Sequence, residues 1–271
     1  MDGVIVSGAF GRAAVLRMQA PLVTHAHAQP NLLFKLGGDD AGFVVGGRRV
    51  ALSDGQGVLV NAMRPHSFVA PPRGAATEVL TIHLDPVWLK ERGLTVEAAG
   101  PDRLFGSTSV ILDRPLRRAL GRISERLRAP CMDAHGVIAP RLGAILDDLM
   151  DRVGPRREPA PRTDARIRCA MTLIAQDLSR ELSMDAIART VGLSRTAFYE
   201  AFRRSAGMTP EVFANMKRVE AAIAGMRGPA TLAGIGYDLG FSAPPHFTRF
   251  FRSNVGIAPS AFRERLVNLG V

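Results

Sequence analysis

The chain has 271 residues and a formal net charge of +10, from 35 basic and 25 acidic residues. Because a single hydrophobic core seldom extends beyond about 250 residues, this length predicts two domains. Cys131 and Cys169 are too few and too isolated for a disulfide framework. Every stretch of about 18 residues contains a charged residue or a proline among its apolar residues, so no membrane-spanning helix is predicted. We therefore expect a cytoplasmic protein with no membrane partner.

Short apolar runs with alternating character fill residues 14–84 and predict β-strands. These runs are residues 32–36, 42–45, 48–52, 57–60, 67–69 and 78–84. Gly46 and Gly47 separate two of them and suit a tight hairpin turn, since glycine adopts the positive φ angles that such a turn needs. Many short strands at this spacing predict a β-sandwich or a small barrel.

The rest of the first domain has helical periodicity. Asp85 and Pro86 are a typical N-cap and first residue of a short helix, in which we expect Trp88 to join the core. Two amphipathic helices are predicted at residues 114–127 and 137–153, because apolar residues recur there every three or four positions. Their apolar faces either pack on their own domain or form a dimer surface, and the two interpretations are compatible.

A proline-rich, charged segment at residues 154–162 has no apolar residue larger than alanine, which is typical of a linker. It divides the chain into residues 1–153, for which we predict effector sensing and dimerisation, and residues 163–271. From Arg162 onward there are 15 basic and 9 acidic residues. This positive excess suits a domain that binds a polyanion such as DNA.

The last third of the chain contains an internal repeat, residues 187–213 and 235–262. Gly192 matches Gly240 at an offset of 48, and Phe198 matches Phe247 at an offset of 49. In each copy a glycine suited to a tight turn is followed by a serine that can cap a helix, and this helix buries two phenylalanines. This order of features is typical of a helix-turn-helix. The repeat therefore predicts two such units, at about residues 184–205 and 231–253.

Two further helices are predicted around the first unit. One runs from Asp164 to Leu182, and the other, from Glu211 to Met226, follows a cap at Thr209 and joins the two units. At 1.5 Å per residue the joining helix is roughly 24 Å long. It is thus long enough to hold both units on one side of a DNA duplex.

The second unit carries a family signature. Residues 240–252 read Gly-Phe-Ser-Ala-Pro-Pro-His-Phe-Thr-Arg-Phe-Phe-Arg, followed by a Gly-x-x-Pro at residues 256–259. This segment resembles the DNA-binding domain of the AraC/XylS family of transcriptional regulators. The resemblance implies that base-reading positions fall on Arg195, Thr196, Tyr199, Glu200, Pro245, His246 and Arg249. We expect Arg203, Arg204 and Arg252 to hold phosphates. Because prolines replace polar residues in the second unit, we expect the first unit to carry more of the sequence specificity, or the second unit to bind mainly the DNA backbone.

The N-terminal half resembles a cupin barrel. The resemblance rests on His25-Ala26-His27, on residues 53–60, and on Arg64-Pro65-His66. It implies that His25, His27 and His66 surround a metal, but Gln29, Pro30 and Asn31 stand where the family has a carboxylate. We therefore expect no metal and no cofactor, and we interpret the three histidines as effector contacts. The alternative is that His25 and His27 lie on a strand end that is exposed to solvent.

The sequence as a whole predicts an α+β multidomain protein, with a cupin-like β-barrel and helical hairpin followed by an all-α double helix-turn-helix domain. We expect a sequence-specific transcriptional regulator and not an enzyme. Its predicted partners are double-stranded promoter DNA, a small-molecule effector, a second copy in a homodimer, and RNA polymerase. The alternative is a metal-dependent cupin enzyme with a helical appendage; a third possibility is that the N-terminal half senses a protein partner or nothing.

Overall fold

The computed structural model describes residues 5–72, 75–94, 102–128, 134–157, 164–178 and 183–268. Within these ranges an N-terminal domain of β-sheets with three helices precedes a helical C-terminal domain. None of the described helices is long and apolar enough to span a bilayer.

Two sheets form the N-terminal domain. The seven-stranded sheet has the order β10-β6-β3-β8-β2-β1-β12, and the three-stranded sheet has the order β5-β4-β7. The strands are β1 (Ile5–Gly8), β2 (Gly11–Met18), β3 (Asn31–Gly38), β4 (Ala41–Val45), β5 (Arg48–Leu52), β6 (Gln56–Val60), β7 (His66–Val69), β8 (Thr77–Leu84), β9 (Asp102–Arg103), β10 (Ser109–Ile111), β11 (Arg156–Arg157) and β12 (Leu266–Asn268).

The six predicted strands are confirmed as β3 to β8. Gly46 and Gly47 have φ angles of 55° and 85°, as a primed hairpin turn between β4 and β5 requires. The sequence missed β1, and it placed the start of strand character at Ala14, whereas β2 begins at Gly11. Gly11 itself has a φ of 114°, and a Cβ there would meet the carbonyl oxygen of His83 at 2.1 Å.

Three helices cover one face of the seven-stranded sheet: α1 (Pro86–Glu91), α2 (Arg114–Arg128) and α3 (Ala134–Val153). Asp85 caps α1 by accepting the N–H groups of Val87 and Trp88, and Trp88 is buried in the core as expected. The apolar stripes of α2 and α3 are also buried in this core. Of the two interpretations of these stripes, packing within their own domain is the one observed.

The other face of the seven-stranded sheet packs on the three-stranded sheet, and this core continues into the C-terminal domain. Phe43 and Phe68 lie in the same cluster of buried side chains as Phe247, Phe251 and Phe262. A smaller cluster likewise joins the loop residues Ala26 and Met63 to the first helix-turn-helix. The two domains therefore share continuous apolar cores, an arrangement that opposes free relative motion.

The C-terminal domain has seven helices within the described residues. They are α4 (Ala165–Gln176), α5 (Met184–Thr190), α6 (Arg195–Ala206), α7 (Pro210–Met226), α8 (Leu232–Asp238), α9 (Pro244–Val255) and α10 (Pro259–Arg265). The predicted caps are confirmed at Ser183, Ser194 and Thr209, each of which accepts a backbone N–H through its hydroxyl.

The helix predicted from Asp164 to Leu182 is shorter than expected. α4 ends at Gln176, and residues 179–182 lie outside the described ranges. Leu178 leaves the helical path to pack on the core shared by the two domains, and its carbonyl accepts a 2.8 Å hydrogen bond from Nε of Arg218. A tertiary contact therefore ends this helix earlier than its periodicity suggests.

Two β contacts were not expected from the sequence. β12, which follows α10, pairs in parallel with β1, so the otherwise helical C-terminal domain adds an edge strand to the N-terminal sheet. In the segment predicted to be a linker, β11 pairs with β9. Residues 158–163, which include the rest of that segment, lie outside the described part of the chain.

Candidate DNA interface and interdomain cavity

The first helix-turn-helix consists of α5 and α6. Gly192 between the helices has a φ of 69°, a left-handed conformation that glycine adopts without strain. Phe198 and Phe202 on the inner side of α6 are fully buried, and Gly207 ends the helix with a φ of 70°. This packing fixes which face of α6 points outward.

The outward face of α6 carries all four of the first unit's predicted base-reading residues. Arg195, Thr196 and Glu200 are exposed, and Tyr199 is half-buried. The Arg195 guanidinium pairs with Asp185 at 2.5 Å, and the Tyr199 hydroxyl donates to Glu211 on α7. Burial, and then this carboxylate, raise the pKa of Tyr199 to about 12.

Two of the predicted base-reading residues are therefore held by neighbouring carboxylates. By contrast, the contact between Glu200 and Arg204 is a long ion pair of 3.8 Å between exposed side chains. Such a pair contributes little to stability and separates easily. Arg203, predicted to hold phosphate, is exposed on the same helix.

The second unit consists of α8 and α9 and presents a different face. Pro244 and Pro245 occupy the first turn of α9, and no side chain caps it. The ring of His246 forms a 2.9 Å hydrogen bond with the hydroxyl of Ser242, while Arg249 and Arg252 are exposed. The structure thus places Pro245, His246 and Arg249 together on α9, and α7 separates this set from the one on α6.

Gly236 has a packing role that the sequence did not reveal. A Cβ at this position of α8 would meet Cβ of Phe247 on α9 at 3.1 Å, closer than most real contacts. The glycine therefore permits close approach of the two helices, in addition to weakening α8 through its low helix propensity.

A cavity of about 560 Å³ lies between the two domains. Its walls come from β1 and β2, from the loop at residues 22–29, from β8, and from α7, and most of the wall surface is apolar. Cavities of this size and polarity typically hold small molecules. Because its walls come from segments about 200 residues apart in the chain, the sequence offered no signal for it.

Two arginines line this cavity. Arg12 on β2 lies 5.4 Å from the ring centroid of Phe262, and Nη2 of Arg227, just after α7, donates a 2.7 Å hydrogen bond to the hydroxyl of Ser7. Desolvation, and then repulsion from Arg227, lower the pKa of Arg12 to about 10. Neither guanidinium forms an ion pair with a carboxylate within the described ranges.

The three predicted effector-contacting histidines meet at the wall of the same cavity. The rings of His25 and His27 lie 4.3 and 4.7 Å, centroid to centroid, from that of His66. A fourth histidine, His83 on β8, lies 4.5 Å from His27 and was missed by the sequence analysis. The signal that would have found it is strand alternation, because Thr81 and His83 share one face of β8.

The histidine loop also contacts the DNA-binding domain directly. The N–H of Ala28 donates a 3.1 Å hydrogen bond to Glu220 on α7, and the N–H of Val23 donates a 3.1 Å bond to the carbonyl of Ser253 on α9. The loop in the cavity wall is therefore hydrogen-bonded to the helix that joins the two units and to the recognition helix of the second unit.

Comparison with known proteins agrees with this arrangement. Residues 187–265 match the family model of a helix-turn-helix domain. The probable transcriptional regulator LumQ of Photobacterium leiognathi is 22% identical over 242 residues, which cover 88% of this chain and 91% of LumQ. A putative AraC-like transcription regulator of Streptomyces lividans is 27% identical over 175 residues, which cover 60% of this chain and 57% of that protein.

A solved structure shares the whole fold. ToxT from Vibrio cholerae, crystallised with an unsaturated fatty acid, has a TM-score of 0.56 and 15% identity, with 94% of this chain and 95% of ToxT covered. Two helix-turn-helix units joined by one helix and packed on a β-sheet domain define a two-domain DNA-binding protein. Residues 187–265 therefore form a helix-turn-helix domain, and the chain as a whole is similar to AraC-type transcriptional regulators.

Proposed function

We propose that this regulator binds an apolar carboxylic acid in the interdomain cavity, and that the bound acid changes its affinity for promoter DNA. The observation that carries the proposal is the pair Arg12 and Arg227. Asp85, Glu91 and Glu220 also line the cavity. The head-group site is therefore the part of the wall at Arg12 and Arg227, and the apolar remainder of the wall is the tail site for one amphipathic anion.

The electrostatics favour an anion over a neutral effector. Arg227 is exposed, so the cost of desolvation falls on the half-buried Arg12, and repulsion from Arg227 adds to that cost. A carboxylate placed between the guanidiniums would offset both costs and accept charge-assisted hydrogen bonds. Removing the tail of the acid from water would add the hydrophobic contribution.

The structural neighbour supports this choice of ligand class. ToxT has been crystallised with an unsaturated fatty acid and with a naphthalene-substituted butenoic acid, both apolar carboxylic acids. The identity between the chains is only 15% for the fatty-acid complex, so the likeness concerns the fold. The case for the ligand in this chain rests on its own arginines.

We propose that each segment of the chain has its own role in regulation. Residues 1–153 sense the effector and dimerise, residues 154–162 link, and residues 163–271 bind DNA. The face of α6 reads bases, and α9 reads fewer bases. The exposed arginines Arg203, Arg204 and Arg252 hold phosphates, which makes affinity depend steeply on salt.

We also propose that the protein works in the cytoplasm as a homodimer, contacts RNA polymerase, and is not an enzyme. The regulator assignment supports all four statements. Because the stripes of α2 and α3 are buried in their own core, a dimer would use other surfaces. Light scattering of the full-length protein would measure the oligomeric state directly.

The full-length protein is the right test material, since its second unit shares a core with the sheet domain. Genomic fragments are selected for binding with and without oleate, and oleyl alcohol serves as the matched uncharged probe. We expect sequence-selective, salt-sensitive complexes whose affinity changes with oleate and not with the alcohol. Equal responses to both probes would refute the anion site, and the absence of selective complexes would refute DNA regulation.

A further inference from the structure

The histidine cluster has a feature that effector contact alone does not explain. One ring nitrogen from each of His25, His27 and His66 lies within 4.8 Å of the other two. The backbones of His25 and His66 are joined by two hydrogen bonds of 2.9 and 2.8 Å, which hold that pair at a fixed separation. The three ring nitrogens therefore lie close together, and backbone hydrogen bonds fix the positions of two of the three residues.

Each of the three rings is oriented in the same way. Nδ1 of His25 contacts the carbonyl oxygen of Val23 at 2.8 Å, and Nδ1 of His27 contacts that of Gln29 at 2.8 Å. Nδ1 of His66 contacts the carbonyl of Arg64 at 2.9 Å. A carbonyl oxygen only accepts hydrogen bonds, so Nδ1 carries the proton in all three rings. Nε2 is then an unprotonated lone pair in each ring.

This orientation is what a metal ligand needs. A histidine that binds a metal through one nitrogen usually donates the other N–H to a backbone carbonyl or carboxylate, which fixes its tautomer. Nε2 of His27 is buried and has no hydrogen-bond partner among the described residues.

We propose that His25, His27 and His66 bind one divalent transition-metal ion, of the zinc class, through Nε2. Tetrahedral zinc with bonds of about 2.0–2.1 Å places its ligand nitrogens about 3.4 Å apart, so nitrogens that lie within 4.8 Å of one another would approach by up to about 1.4 Å on binding the ion. Three neutral imidazoles suit zinc, cobalt, nickel or copper better than magnesium or calcium. The residues thus fit the metal that a cupin-like domain implies, although the family's carboxylate is absent.

His83 is a fourth histidine beside this cluster, and the cupin pattern does not include it. Its ring lies 4.5 Å from that of His27, and its Nδ1 is buried without a partner among the described residues. On the neighbouring strand it pairs with Arg12. His83 would therefore lie close enough to a metal held by the other three histidines to accept a hydrogen bond from a water bound to it.

The test measures metal binding by the full-length protein, purified with an affinity tag that contains no histidine. Cys131 and Cys169 are replaced with serine, because thiols also bind zinc. We expect one zinc per chain after dialysis and a tetrahedral absorption spectrum when cobalt replaces it. His27→Ala and His66→Ala should weaken zinc binding at least 100-fold, and His83→Gln about tenfold, as for an outer-sphere partner.

His246→Ala is the matched control, because it removes a histidine of α9 outside the cluster, and it should leave zinc binding unchanged. Far-UV circular dichroism checks folding, and His25→Gln provides a milder variant if His27→Ala or His66→Ala unfolds. The proposed site would be refuted if the parent bound zinc no more tightly than His25→Gln does. It would also be refuted if His246→Ala lost zinc as fully as the variants of the cluster. Oleate binding measured without metal keeps this outcome separate from the anion proposal.

Discussion

The N–H of Ala28 donates a 3.1 Å hydrogen bond to Oε1 of Glu220, across 192 positions of sequence. Ala28 follows His27, which lines the cavity, and Glu220, which also lines it, lies near the middle of α7, the helix that joins the two recognition units. Lys217 also contacts Glu220, at 2.9 Å. A change at the cavity wall can thus reach the helix that sets the spacing of the two units.

Glu220→Ala should weaken communication between the cavity and the DNA-binding domain. A hydrogen bond to a charged group contributes about 1.5–3 kcal/mol, so we expect the response of DNA affinity to oleate to fall by about tenfold or more. DNA affinity without oleate should change little. Fluorescence anisotropy with labelled operator DNA measures both quantities. Glu264→Ala, an exposed carboxylate on α10, is the control, and an unchanged oleate response in Glu220→Ala would contradict this route.

Arg12→Gln should reduce the affinity for oleate by about 10- to 100-fold, because the variant loses a charge-assisted contact of about 1.5–3 kcal/mol. Binding of oleyl alcohol should hardly change. Isothermal titration calorimetry gives both affinities. Arg118→Gln, which removes an exposed arginine from α2, should behave like the parent. An equal loss for both ligands would indicate a packing defect.

Glu200→Ala should change sequence preference more than overall affinity. The carboxylate is exposed and only loosely paired with Arg204, so it is available to accept from a cytosine amino group, a contact that discriminates by about 1–3 kcal/mol. Selection from a random DNA library would show relaxed preference at one base-pair position. A preference identical to that of the parent would remove Glu200 from the reading surface.

Arg252→Ala should instead weaken binding to all sequences by a similar factor. A phosphate contact carries no sequence information, and its loss should reduce the slope of log affinity against log salt by about 0.9. Affinities for a selected operator and a scrambled duplex, each at several salt concentrations, measure this. A loss confined to the operator would reassign Arg252 to base reading.

Gly236→Ala should destabilise the second helix-turn-helix even though alanine is the better helix former. The new Cβ would lie 3.1 Å from Cβ of Phe247, an atom fixed to the backbone of α9, so the helices must separate. We expect a net loss of about 1 kcal/mol in unfolding free energy, as small overpacking costs outweigh the propensity gain. Gly121→Ala in α2 meets no atom within 4 Å and should stabilise by about 0.5–1 kcal/mol. Urea denaturation compares the two, and stabilisation by both would contradict the packing role.

Local chemistry was well predicted from the sequence. Ser194, Gly207 and Thr209 act within a few residues of their positions, so the first helix-turn-helix and its exit were correctly placed. Strands β3 to β8 were found for the same reason, because alternation and glycine turns are short-range signals. The end of α4 was predicted wrongly because the contact of Leu178 is tertiary.

The sequence by itself determined the two helix-turn-helix units, the strand-rich first half and the three histidines of the cluster. Only the tertiary structure decided the pairing of β1 with β12, the meeting of Arg12 with Arg227 beside an apolar cavity, and the place of His83. The physical reason is separation along the chain. Caps, turns and periodicity act over a few residues, whereas a cavity between two domains exists only after their shared core has formed.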